Sequence, residues 1–310
     1  MLLYPPSTER VRMPVIEKQR IIPRKNTIVK RKKTREEQVI DSLSPNLNLM
    51  IHAVRRASGS LLRDFGEISH LQVSKKGPGD FVSNADLMTE KKLIEFLQEA
   101  RPDYGFVSEE RGEIPAKNGS PYKWLMDPID GTTNFLHAMP YFAISLALLK
   151  GDEVLDAVIF NPITNQLYYA EKGRGAFIMT PTGNERLRVS GRTKMETAMM
   201  SVNVSVFGRC PELLESFLKN HSPVRVMGAT TLTLSSLAAG QVDAFIEYHP
   251  HIWDIATGYL MVKEAGGIVQ SWSGKLKLYD IVEEGTFLAT TPELKEKVIK
   301  ILPKIKKTCK

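Results

Sequence analysis

Residues 124–135 read Trp-Leu-Met-Asp-Pro-Ile-Asp-Gly-Thr-Thr-Asn-Phe. Two carboxylates, Asp127 and Asp130, flank a proline and stand directly before a Gly-Thr-Thr turn. The residues ahead of them, Tyr122 to Met126, suit a buried strand, and Pro128 cannot donate to a strand ladder. Asp127 is therefore expected at a strand end. Gly131 permits close backbone approach, and Thr132 and Thr133 are candidate caps of a short helix whose leading N–H groups face an anion. Carboxylates beside anion-binding amides point to a cation that bridges protein and phosphate. Hard divalent ions such as Mg2+ take oxygen ligands, and two of them about 3.5–4 Å apart can clamp the attacking and leaving oxygens of phosphoryl transfer. For this string alone, an Asp-Pro turn followed by an Asx-type cap accounts for the residues without any ligand.

Three further segments bear on that choice. Val107-Ser108-Glu109-Glu110 follows Tyr104-Gly105-Phe106, which puts Glu109 at the end of a short strand as a further oxygen donor. Ile252-Trp253-Asp254-Ile255-Ala256 opens a helix with Ile255, Tyr259 and Val262 on one face and Gly266-Gly267 as its stop. Asp254 reads there either as a ligand or as an N-cap. Asp80-Phe81-Val82-Ser83-Asn84-Ala85-Asp86 ends on a carboxylate before the helical run Leu87 to Leu97, again readable as a cap.

Together these blocks resemble the inositol monophosphatase family, Mg2+-dependent and lithium-sensitive sugar phosphatases, and its bacterial SuhB-like branch in particular. D-P-I-D-G-T-T-N-F at 127–135, Glu109-Glu110 and W-D-I-A at 253–256 stand in the family's order and spacing, and Lys75 matches by its spacing to Asp80 and Asp86. The resemblance runs from about Asn46 to the C-terminal region.

The resemblance implies that Glu109, Asp127 and the Ile129 carbonyl hold a first metal, and that Asp127 bridges to a second completed by Asp130 and Asp254. It implies two or three Mg2+ ions in all. Gly131 and Thr132 would present N–H groups to the phosphate, and Thr132 with Asp86 would orient the attacking water; bound metal lowers the pKa of such a water and offsets charge on the transferring group. No covalent phosphoenzyme is implied. Cys210 precedes Pro211 in an expected loop and Cys309 lies in a lysine-rich terminus, so neither reads as a nucleophile.

On the substrate side, Glu247 in Ile246-Glu247-Tyr248 matches the family position that contacts an inositol hydroxyl, while the residues alone also allow a solvated strand-end glutamate. Gly228-Ala229-Thr230-Thr231 departs from the more usual Gly-Ser/Thr-Ala-Ala, which puts extra methyl and hydroxyl groups beside the substrate ring. Gly228, Thr230 and Asp254 join Glu247 as implied substrate contacts. Thr133-Asn134 favours the monophosphatase branch over bisphosphate nucleotidases. The expected activity is hydrolysis of myo-inositol monophosphate or a related sugar phosphate, with fructose-1,6-bisphosphate and nucleotide bisphosphates as alternatives. His249 and His251 favour a loop outside the site, since the carboxylates around them suit hard ions. Trp253 is read as a packing residue that fixes Asp254.

The net charge of +7 is uneven. Residues 1–44 hold eleven Lys/Arg against five acids, so nearly all of the excess lies there, among Pro5, Pro6, Pro14 and Pro23. They read as a disordered basic arm ahead of a phosphatase domain at 45–310. The arm is a solvated extension or upstream translation artefact, with Met13 or Met50 as other starts, or else it contacts RNA or membrane phosphates by counterion release. An RNA- or transcription-associated interaction protein is thus the second function class. Two distant cysteines argue against a disulfide framework, and no run approaches the ~20 apolar residues of a membrane span. A cytoplasmic homodimer is the family-based expectation.

Helices are expected at Leu47–Phe65, with Leu47, Ile51, Val54, Leu61 and Leu62 buried, and at Asp86–Ala100. Strands follow at 124–126, 141–149, 154–160, 166–171 and 176–178, before a Pro181-Thr182-Gly183 turn. Strand–helix alternation then runs from Ala198 to the helix at Asp254. The expected fold is α+β, a layered αβαβα sandwich of the sugar-phosphatase type with its site between the two halves.

Overall fold

The computed structural model describes residues 34, 37, 39–40, 42–71, 78–180 and 183–302, of which 69–71 and 78–83 are described by their backbone alone. Lys75, the Asp80 side chain, Pro181-Thr182, Cys309 and most of the basic arm lie outside them. The compact unit that carries the site begins at Thr34, and Ile40 is buried in its core, so the folded part reaches upstream of the expected boundary at 45.

Behind helical residues at 37, 39 and 40 come two long helices, α1 (Pro45–Leu71) and α2 (Pro78–Ala100). Leu47, Ile51, Val54 and Leu61 recur at helical spacing and are fully buried, but Leu62 is 42% exposed. It stands about 100° around the helix from Leu61, off the stripe that faces the sheet. The second helix starts eight residues before the expected Asp86, at Pro78, where a proline's missing N–H costs nothing. Asp86 is therefore inside a helix, not a cap.

Next come β1 (Gly105–Ser108), β2 (Gly112–Ile114), β3 (Tyr122–Asp130), the single turn α3 (Thr132–Leu136), β4 (Ala143–Lys150), β5 (Glu153–Asn161), β6 (Gln166–Glu171), β7 (Gly175–Thr180) and β8 (Gly183–Arg186). The strands form one sheet in the order β2-β1-β3-β4-β5-β6-β7-β8, antiparallel except where β1 runs beside β3. Ala143–Leu149 is buried without alternation, as expected of a strand covered on both faces.

The second half supplies β9 (Met200–Val202), α4 (Ser205–Arg209), α5 (Pro211–Lys219), β10 (Val224–Arg225), α6 (Thr230–Ala238), β11 (Ala244–Tyr248), α7 (Ile252–Glu264), β12 (Ile268–Gln270), α8 (Leu278–Glu284), β13 (Thr286–Thr290) and α9 (Lys295–Ile301). Five strands pair in the order β10-β9-β11-β13-β12.

Three cores set the layering. Ile51, Leu93, Trp124 and Leu146 join α1 and α2 to one face of the large sheet. Leu125, Ile159, Leu234, Leu260 and Phe287 place α6 and α7 between the two sheets. Val202, Phe217, Ile246 and Val298 pack α5 and α9 on the far face of the small sheet. The result is the αβαβα sandwich expected from sequence. The middle helices approach closely at Gly258, where a Cβ would lie 2.1 Å from Leu234 Cδ1. That approach helps bring the starts of α6 and α7, Thr230 and Asp254, toward the end of β3. No helix among the described residues is long and apolar enough to cross a membrane.

Candidate active site

The site begins where β3 breaks register. Asp127 pairs with Ser145 and Asp130 with Ala143, so β3 spends one residue more than β4 over this step. Pro128 sits in that bulge, where no ladder N–H is needed, and the strand continues through it to Asp130. This corrects the expected strand end at Asp127. The Ile129 N–H also leaves the ladder, donating to Asp127 Oδ1 at 2.9 Å. The bulge thus places Asp127, the Ile129 carbonyl and Asp130 at the mouth of the sheet.

Gly131 follows with φ 93°, and a Cβ there would lie 3.0 Å from Ala229 Cβ and 3.1 Å from the Tyr141 oxygen, so only glycine fits. Gly131 is itself the N-cap of α3, and no side chain caps that turn. Thr132 and Thr133 are its first residues and not its caps; the Thr132 hydroxyl instead donates to the Ile129 oxygen at 3.0 Å. Asn134 reaches across, its Nδ2 donating to the Met227 and Tyr141 oxygens at 2.9 and 2.8 Å, and thereby holds the Gly228 turn against α3.

Asp130 is 6% exposed and lies at the start of α6. Its Oδ1 accepts the Thr230 N–H at 2.9 Å, and its Oδ2 accepts the Thr231 N–H at 2.8 Å together with the Thr231 hydroxyl. Burial raises the Asp130 pKa, and the hydrogen bonds from Thr231 and Thr230 pull it down.

Glu109 follows β1 directly and is exposed at the rim. Although the residue is exposed, its carboxyl is partly desolvated, and its pKa is raised first by that and then by Glu110, against a hydrogen bond with Asp127. The loop that carries it is clamped from below by Glu90 of α2, whose fully buried carboxylate accepts the Glu110 N–H at 3.2 Å and pairs with Arg111 Nε at 3.1 Å. One turn earlier on α2, Asp86 is 3% exposed, and its Oδ1 is buried without a hydrogen-bond partner. Burial, then Glu110, Glu109 and Glu90, push its pKa up to about 8.

Asp254 is the third residue of α7, not its N-cap; His251 holds that position and donates its N–H to Asp254 Oδ2 at 3.0 Å. Burial, then Asp130, raise the Asp254 pKa to about 7. The His251 ring stacks on Trp253 with centroids 4.8 Å apart, and its charge acts on Glu109. Trp253 packs against the central core, as expected. Glu247, at the end of β11, is 4% exposed and raised well above the carboxylate range by burial, then by Asp254 and Asp130.

Asp127 summarises the electrostatics. Burial lifts it well above its usual range, and the four charges that add to this, Asp130, Glu109, Asp254 and Asp86, are all negative. Among the described residues no three His, Cys, Asp or Glu side chains are drawn into a closed coordination shell. The donor set is nonetheless all oxygen, mutually repelling and partly orphaned at Asp86, which suits a hard divalent cation. Glu109, Asp127, Asp130, Asp254, Asp86 and Glu247 are the acids expected from sequence, and the structure links all six electrostatically. Glu90 and Asn203 escape sequence reasoning, since no local pattern marks a residue whose partner is remote in sequence, and Thr231, expected beside the substrate ring, instead turns its hydroxyl to Asp130 Oδ2 and is fully buried.

Comparison with known proteins agrees with this fold. The profile of the inositol monophosphatase family matches residues 42–307. The chain is 40% identical over 259 residues to an inositol-1-monophosphatase of Caulobacter vibrioides, covering 82% of this chain and 99% of the relative. It is 36% identical over 265 residues to a putative Nus factor SuhB of Neisseria meningitidis, covering 84% and 98%. Among solved structures, the extragenic suppressor protein suhB of Bartonella henselae matches with a TM-score of 0.75 and 39% identity, over 85% of this chain and 100% of the other. With the fold, the carboxylate cluster and these relatives in agreement, the chain belongs to the inositol monophosphatase family.

Proposed function

We propose that this chain is a Mg2+-dependent phosphomonoesterase that hydrolyses myo-inositol monophosphate or a related sugar phosphate, with water as nucleophile and no covalent intermediate. The observation that carries this reading is the all-negative surrounding of buried Asp127 beside an uncapped helix start. Glu109, Asp127 and the Ile129 oxygen would hold one ion, and Asp127, Asp130 and Asp254 a second. When bound, Mg2+ supplies charge neutralisation at the phosphoryl group and acidifies water.

The remaining work falls to the chain. The Gly131 and Thr132 amides orient the phosphate, aided by the positive end of α3. Thr132, anchored on the Ile129 oxygen, positions the attacking water, and the orphaned Asp86 Oδ1 accepts its hydrogen bond. Gly228, Thr230, Glu247 and Asp254 face the alcohol. Lithium sensitivity, a homodimer and a cytoplasmic location belong to the same proposal and are supported by family membership alone.

Phosphate release from inositol 1-phosphate tests the reading. It should require Mg2+ and be lost in Asp127→Asn. Release that is indifferent to Mg2+, or unaffected by that substitution, overturns it.

A second reading rests on the relatives named Nus factor SuhB and on the basic character of residues 1–44. It gives the chain a contact with RNA or the transcription machinery alongside catalysis. RNA binding that is salt-sensitive and lost on deletion of residues 1–44 supports it; no binding at low salt removes it.

A further inference from the structure

Beside the phosphate turn lies a cavity of about 230 Å3 whose wall includes Thr133, Asn203, Val204, Val226, Met227 and Thr230. Glu247 is not on that wall. Asn203 stands between the two and is pinned three ways: its N–H donates to the Ile246 oxygen at 3.0 Å, its Oδ1 accepts the Ser205 N–H at 3.0 Å, and its Nδ2 donates to Glu247 Oε1 at 2.6 Å. The Thr230 hydroxyl also lies 3.3 and 3.4 Å from the Glu247 oxygens. Glu247 is therefore engaged on its protein side and only 4% exposed. Asn203 keeps one Nδ2 hydrogen and one Oδ1 lone pair for a ligand. Val204 and Val226, 69% and 48% exposed, offer methyl groups to the same space.

We infer that Asn203 is a further specificity-determining contact for the leaving alcohol, beside Glu247, and that Glu247 also holds its amide in position. The inference rests on the phosphomonoesterase reading above. The ester class that fits is one whose alcohol places a hydroxyl on the Asn203 amide and turns a C–H face toward Val204 and Val226. An amide both donates and accepts, so it takes a hydroxyl in either sense, whereas a carboxylate only accepts.

The test compares inositol 1-phosphate with p-nitrophenyl phosphate, whose leaving group brings no hydroxyl, across wild type, Asn203→Ala, Asn203→Ser, Glu247→Gln and Glu247→Ala. Both Asn203 variants should lower kcat/KM for inositol 1-phosphate about tenfold relative to p-nitrophenyl phosphate, with the loss falling on KM. Continued inhibition by inorganic phosphate shows that a variant is folded. Glu247→Gln, which still offers an oxygen to Asn203 Nδ2, should keep most of the preference, and Glu247→Ala should lose it. The assignment is overturned if the Asn203 variants leave the ratio unchanged, or if Glu247→Gln alone erases it, while wild type hydrolyses both esters. Failure of wild type on both esters instead removes the phosphatase reading, and this assignment with it.

Discussion

The Asp130 carboxylate caps a helix that starts a hundred positions later, with Oδ2 accepting both the N–H and the hydroxyl of Thr231. This bond fastens the end of β3 to α6 and holds a charge-bearing group still in a buried place. The helix start contributes amides and the positive end of its dipole, so the site's most heavily hydrogen-bonded acid is fixed by backbone.

Thr231→Val keeps the amide and the side-chain shape but removes one donor from a carboxylate that is 6% exposed. It should cost about 1–3 kcal/mol in urea denaturation. Thr233→Val is the control: that hydroxyl bonds the Ala229 oxygen at the start of its own helix, which also accepts the Thr233 N–H. Its loss should cost less, and equal losses would remove the special role of Thr231.

Glu90 is predicted to act on metal affinity through the loop that carries Glu109. Glu90→Ala leaves the Glu110 N–H and Arg111 without their buried partner. The Mg2+ concentration for half-maximal activity should rise about 10–100-fold, as for other groups that orient metal ligands. Glu90→Gln still accepts the Glu110 N–H and should fall between. An unchanged Mg2+ titration in Glu90→Ala contradicts the clamp.

Away from the site, Asp156 on β5 makes stability depend on pH. It is 5% exposed, and burial, then Glu171 opposite it on β6, raise its pKa to about 7. The folded chain therefore keeps a proton that the unfolded chain has already released above the ordinary value of 3.8. Its contribution to stability is lost as pH rises from the unfolded value through the folded one, with an upper bound of about 4 kcal/mol. Asp156→Asn should raise Tm more at pH 8 than at pH 5; an equal change at both contradicts the assignment.

Much of the site is legible in the sequence because Asp127 to Asn134 is contiguous, and one bulge and one turn suffice to shape it. Glu109 and Asp254 need the family resemblance, since nothing local shows that β1 will lie beside β3 or that α7 will start against them. Asp86 reads as a cap because aspartate favours that position ahead of an apolar run, while the true start is Pro78. Pro128 reads as a strand stop because a bulge, which spares the missing N–H, depends on the partner strand. Leu62 adjoins the buried stripe in sequence but not in angle. Glu90, Thr231 and Asn203 act on partners 20, 101 and 44 positions away, a distance no periodicity encodes.

The most direct test is a crystal soaked with Mn2+ and phosphate and measured at the manganese absorption edge. The account predicts anomalous peaks bridged by Asp127, with oxygens of Glu109 on one side and of Asp130 and Asp254 on the other at about 2.0–2.3 Å, and phosphate on the Gly131 and Thr132 amides. Manganese bound elsewhere while Asp127 stays free, or phosphate seated away from that turn, would contradict it.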